Sequence, residues 1–170
     1  TVYDDPRMEN KNEVKLAQRE LAARLRKSTD KLNEATDRLT DASEVLSKMN
    51  TQLQNVEGKE ADSLRKATKA LQDSVKAIRE YISGKPGEKQ GISRSLAPTV
   101  MSRVGEASQG IGSKLTKPGA QEEQLVANAE KLIAETVART NAFFEKQWKA
   151  YRKQVEETRV NLFKDYKPIE

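Results

Sequence analysis

The sequence predicts an all-α protein: an elongated antiparallel four-helix bundle in which the first and fourth helices are long and the two between them are short. Three observations carry that prediction. Leu21, Leu25, Ser28, Leu32, Ala35, Leu39, Ala42, Leu46, Met49, Leu53 and Val56 recur in steps of four and three without a break. An α-helix turns once per ~3.6 residues, so this spacing lays one narrow apolar seam along a rod, of the kind that packs on other helices. Of 170 residues, 34% are charged and only 5% aromatic, which suits helices that each bury a stripe rather than a bulky globular core. Glycine and proline gather at Gly58, at Gly84, Pro86 and Gly87, and at Lys117-Pro118-Gly119, and these breaks cut the pattern into its pieces.

Residues 1–8 read as a strand-like linker from a preceding β-rich domain. Thr1, Val2 and Tyr3 favour an extended chain, and Asp5 before Pro6 is biased away from helix. The helical bundle is expected over 9–170. Its first helix spans about 9–56, where Val14 and Ala17 extend the seam backward; about 45 residues at ~1.5 Å each make a rod of roughly 68 Å. Gly58 is its expected stop, as a left-handed cap. The second helix, about 60–83, carries Ala61, Leu64, Thr68, Leu71, Val75, Ile78 and Ile82. The short Glu57-Gly58-Lys59 link makes these two helices antiparallel neighbours.

A polar connection fills 84–97. The third helix, about 98–113, opens with Pro98 at its first position and carries Val100, Met101, Val104, Ala107 and Ile111. Gly105, Gly110 and Gly112 each weaken it by ~1 kcal/mol relative to alanine. The fourth helix, about 120–166, shows a stripe of Leu125, Ala129, Leu132, Ile133, Val137, Thr140, Phe144, Trp148, Tyr151, Val155, Thr158 and Leu162. Two long rods at the core flanked by two shorter ones account for these lengths. The aromatic group of Phe143, Phe144, Trp148, Tyr151, Phe163 and Tyr166 then falls at the end of the fourth helix that faces the start of the first.

Composition removes several kinds of chemistry. With no cysteine and no histidine, disulfides, thiolate catalysis, Cys or His zinc sites and histidine acid–base steps are excluded. A charge of +5 from 31 basic and 26 acidic side chains is mild, and the two signs intermix. The longest basic clusters, Arg24, Arg26 and Lys27 and then Arg152 and Lys153, are too short for a polyanion-binding face, so no nucleic acid is expected. No run of 18 apolar residues is present to span a membrane.

Individual candidates read as structure. Phe144, Trp148 and Tyr151 are expected to pack, since aromatics offer the largest area a helix can bury; with Leu21, Leu25, Leu32, Leu39, Leu46 and Leu53 they are the packing and interaction residues. The stretch Gly105 to Gly112 lacks the Gly-Lys-Ser/Thr ending of a phosphate loop. The carboxylate pairs Asp4 and Asp5, Glu122 and Glu123, and Glu156 and Glu157 are sequence neighbours, which on a helix point about 100° apart and form no cleft. Ser93, Ser95, Ser102 and Lys114 read as a polar loop with helix caps, and the basic stretch Gly84 to Gln90 as a solvated connection. No catalytic residue, cofactor or metal is expected.

Strand-like Thr1-Val2-Tyr3 followed by Asp4-Asp5-Pro6-Arg7 and a long helix, with Pro168-Ile169 near the other end, resembles the C-terminal helical region of bacterial proteins built on sortilin-like, BNR (Asp-box) repeat β-propellers, many of them labelled glycosyl hydrolases. No Asp-box (Ser-x-Asp-x-Gly-x-x-Trp) occurs in the chain, so the resemblance carries no catalytic residue onto it; hydrolase activity would belong to the propeller. The chain opens on Thr1 rather than methionine and is expected to continue a larger protein. The resemblance implies a periplasmic or cell-surface location, and as partners the preceding β-rich domain, another protein or a second copy of the chain. The expected function is a non-catalytic structural and interaction domain. The alternative is a coiled-coil adaptor or a helical protein binding anionic membranes.

Overall fold

The computed structural model describes residues 11–54, 56–85 and 98–158. The strand-like start, most of the 84–97 connection and the last residues of the fourth helix lie outside them. Among the described residues all regular structure is helical: α1 (Lys11–Leu53), α2 (Lys59–Ser83), α3 (Val100–Ser113), α4 (Ala120–Ala142), a π-helical turn (Phe143–Trp148) and α5 (Lys149–Glu157). The sequence predicts α4 through α5 as one uninterrupted α-helix; the π turn is the departure from it.

Helix ends obey local chemistry. Gly58 has a φ of 125°, a backbone that residues with a Cβ rarely adopt. It does not cap α1 as expected. Its carbonyl accepts the Asp62 N–H at 3.0 Å, so it opens α2. Gly84, at φ 86°, closes α2. At α3, Thr99 and not Pro98 sets the start: Ser102 N–H donates to the Thr99 hydroxyl at 3.1 Å, and Thr99 N–H donates to the Ser102 hydroxyl at 2.9 Å. This reciprocal pair satisfies two amides that a helix start leaves open.

The chain divides into two compact units. One comprises Thr1–Thr36 and Arg79–Ala138, the other Asp37–Ile78 and Arg139–Glu170; α1 contributes to both. In the first, Leu21 and Leu25 of α1 form a buried cluster with Ala107 and Ile111 of α3 and Val126 and Ala129 of α4. Glu13 pairs with Lys117, Arg24 with Glu123 and Glu130, and Ser28 donates to Glu130. Partners thus advance together along α1 and α4, and within this unit the two helices run in the same direction. That corrects the antiparallel pairing expected of the long helices. The cause is α3. It starts beside the end of α2, where a Cβ on Gly84 would lie 3.4 Å from Thr99 Cγ2. It then carries the chain to the start of α1, where the Lys114 carbonyl accepts Gln18 Nε2 at 2.7 Å. The fourth helix therefore sets out alongside the first.

In the second unit α1 buries Leu39, Ala42, Leu46 and Leu53, and α2 buries Ala61, Leu64, Thr68, Leu71 and Val75. Burying one such aliphatic side chain contributes ~1.5–3 kcal/mol. Tyr151 meets Thr68 and Gln154 meets Ser63, so α5 runs opposite to α2. Within this unit the aromatic end of the fourth helix thus packs on α2.

Candidate functional site

The features with most chemistry in them lie on the π turn and α5, in the second unit. Phe143 and Tyr151 are buried, while Phe144 and Trp148 are partly exposed. Ring centroids lie 5.1 Å apart for Phe143 and Phe144, 5.8 Å for Phe144 and Trp148, and 6.3 Å for Trp148 and Tyr151. The first two pairs meet edge to face, the arrangement that ring quadrupoles favour. The sequence places Phe144 on the seam; Phe143 is the residue that fills it. The seam of α4 is Glu122, Val126, Ala129, Ile133, Thr136 and Thr140. It shares Ala129, Ile133 and Thr140 with the predicted stripe and departs from it at Glu122, Val126 and Thr136, two of which are polar.

Tyr151 ties the group to α2. Thr68 donates to the Leu64 carbonyl at 2.7 Å, and the Tyr151 and Thr68 oxygens lie 2.8 Å apart. With the Thr68 proton so engaged, Tyr151 is the donor to Thr68. Burial pushes the Tyr151 phenol pKa up. One turn before the aromatics, Thr140 is 1% exposed and its hydroxyl has no partner. A buried hydroxyl without a partner is destabilising. Thr68 is on the predicted seam, but no signal in the sequence marks it as a hydroxyl partner. The Thr140 hydroxyl is equally silent.

Beside this group, Glu60 and Ser63 of α2 and Ala150, Lys153 and Gln154 of α5 line an open cleft of about 370 Å³. In the first unit a groove of about 560 Å³ lies between α1 and α3, with Ala22, Leu25, Val104 and Ile111 on its apolar walls and Arg26 at its edge.

Of the polar candidates, Asp4, Asp5, Ser93 and Ser95 lie outside the described residues, and the others are engaged in caps and ion pairs. Glu122, only 3% exposed, receives Lys114 Nζ at 2.9 Å and the Gly119 N–H at 2.7 Å. Those two contacts, Lys114 first, hold its carboxyl below the usual range against the opposing effect of burial. Glu122 sits three residues past Gly119, the spacing at which a helix-start carboxylate reaches back to the cap amide; that spacing is the signal the sequence offers. Its neighbour Glu123 points elsewhere, to Arg24 at 2.8 Å. Arg24 also grips Glu130, which raises the guanidinium pKa and lowers that of the carboxylate. Glu156 and Glu157 pair one turn back with Arg152 and Lys153. Ser102 serves the α3 cap. Gly105 to Gly112 lies inside α3, not in a phosphate-binding loop. Among the described residues no group of three Asp or Glu gathers for a metal ion, and no helix is long and apolar enough to cross a membrane. No family model, curated protein or solved structure matches the chain.

Proposed function

We propose that this chain is a non-catalytic helical domain with a structural and docking role at the C-terminus of a larger exported protein of the sortilin-like, Asp-box repeat kind. One observation carries the structural part. Leu21, Leu25, Leu32, Leu39, Leu46 and Leu53 are all at most 5% exposed, and they belong to one helix that contributes to both compact units. Such a helix ties two packed regions together through covalent backbone, as a brace requires. The ion pairs of Arg24, Lys114 and Lys117 support the same reading, since their partners are other side chains of the chain. The resemblance at Asp5-Pro6-Arg7 supplies the setting: a β-rich domain ahead of Thr1, and location at the bacterial periplasm or surface. The gene should encode repeated Asp-boxes ahead of Thr1; a coding sequence with none overturns the setting. Light scattering on the chain mixed with that preceding domain should give the mass of a complex, and two unassociated species would overturn the docking role.

A second reading has one observation behind it. Lys146, Lys149, Arg152 and Lys153 are exposed around the partly exposed Phe144 and Trp148, a mixture that suits an anionic membrane surface. Against it, Arg152 and Lys153 already face Glu156 and Glu157. Co-sedimentation with phosphatidylserine vesicles, lost as salt rises, would favour this reading.

A further inference from the structure

We propose that the π turn is a single-residue insertion in an otherwise regular helix, held in place by the side chains on its C-terminal side, and that the fold survives its removal. The evidence is the spacing of buried positions. Along α4, Glu122, Val126, Ala129, Ile133, Thr136, Thr140 and Phe143 are buried, in steps of four and three throughout. Continued without interruption, those steps would bring Gln147, Ala150, Gln154 and Glu157 inward. Instead Gln147, Ala150 and Glu157 are exposed, while Trp148 is partly buried, Tyr151 is buried, and Val155 and Thr158 are partly buried, the same steps displaced by one residue; of the regular positions Gln154 alone is partly buried, beside Val155. The displacement falls within Phe143–Trp148, where the backbone is π-helical while Ala142 and Lys149 on either side keep α-helical angles. A π turn is the known way for a helix to hold one extra residue without breaking.

The chemistry of the two registers shows why the extra residue is absorbed here. The regular register would bring two glutamines, an alanine and a glutamate onto the seam. The observed one brings a tryptophan, a tyrosine, a valine and a threonine. Apolar area favours the second, and so does the Tyr151 hydrogen bond to Thr68. The π turn is thus imposed by the residues from Trp148 onward rather than by any preference of 143–147.

Deleting Gln147 from the full chain tests this. The deletion places Trp148, Tyr151, Val155 and Thr158 on the regular steps that continue from Phe143, so the helix becomes continuous α with its apolar register kept. The expected melting temperature stays within about 3 °C of the parent or rises, about 3 °C corresponding to roughly 1 kcal/mol at this size. Deleting the exposed Lys131 is the control. It puts Ile133, Thr136, Thr140 and Phe143 one position off the seam and should lower the melting temperature by more than about 10 °C or abolish cooperative unfolding. Tyr151→Phe made in the Gln147-deleted chain should lower the melting temperature as much as it does in the parent, showing that Tyr151 still reaches Thr68. A fall of more than about 3 °C on deleting Gln147 overturns the proposal, as does a Tyr151→Phe effect that vanishes in the deleted chain. Neither outcome depends on what the domain binds.

Discussion

The two compact units share one helix and hold it by different means. In the first, α1 meets small side chains, Ala107 and Ala129, and charged pairs cross between elements: Arg24 to Glu123 and Glu130, Lys117 to Glu13, and Lys114 to the nearly buried Glu122. Small residues let helices approach closely, and at Gly110 a Cβ would come within 2.9 Å of Leu125 Cδ1. In the second, the packing is bulkier: four fully buried leucines, Phe143 and Tyr151, with the Tyr151–Thr68 hydroxyl pair among them. A seam of leucines is thus compatible with either surrounding. The units differ in their response to conditions: the first should answer to pH, the second to loss of side-chain volume and of single hydroxyls.

The largest expected effect sharpens that contrast. Leu46→Ala removes a side chain with no exposure, whereas Leu25, also nearly buried, lines the open groove between α1 and α3. Truncating a buried leucine costs ~2–5 kcal/mol, depending on how far the site collapses. Urea denaturation should place Leu46→Ala near the top of that range and Leu25→Ala near the bottom; the reverse order would break the comparison.

Acid should separate the units next. Glu122 has its carboxyl pKa lowered from 4.5 by Lys114 and the Gly119 amide. A carboxylate depressed on folding adds stability that is complete above its unfolded pKa and is lost as pH falls through the folded value. Stability should therefore drop as pH falls from about 5 toward 3, and Glu122→Gln should flatten part of that drop in denaturation series at several pH values. A profile identical to the parent would contradict the role given to Glu122.

The hydroxyls of the second unit give a pair of smaller, opposite effects. Tyr151→Phe leaves Thr68 without its donor and should lose about 1 kcal/mol. Thr140→Val removes a buried hydroxyl that has no partner and should gain up to about 1 kcal/mol. A loss at Thr140→Val would show that its hydroxyl is satisfied. Smallest of all, Gly105→Ala adds a methyl group in open space within α3 and should gain about 0.5–1 kcal/mol from helix propensity alone. A loss there would mean that something approaches Gly105.

The residues that occupy the seams explain why some of this is legible in the sequence and some is not. On α1 and α2 the inward positions are leucine, alanine, valine and isoleucine with one threonine, Thr68, so the four-and-three steps stand out. On α4 they include Glu122 and Thr136, polar residues absent from the predicted stripe, which shares only Ala129, Ile133 and Thr140 with the buried face and otherwise lies beside it. The π turn shows only as the eight-residue step from Phe143 to Tyr151, visible once the flanking buried residues are known. The direction of α4 is beyond periodicity altogether. It depends on α3 beginning beside the end of α2, a long-range contact that no local pattern encodes. In the candidate site the aromatics are evident from their type, whereas their tie to Thr68 arises from tertiary packing.

Native-state hydrogen exchange along α1 tests the central claim most directly, because a single apolar seam is held to stabilise both units. Amides from Leu21 to Leu53 should all rank among the slowest in the protein, on both sides of Thr36. Fast exchange over either 21–36 or 37–53 while the other half stays protected would contradict it.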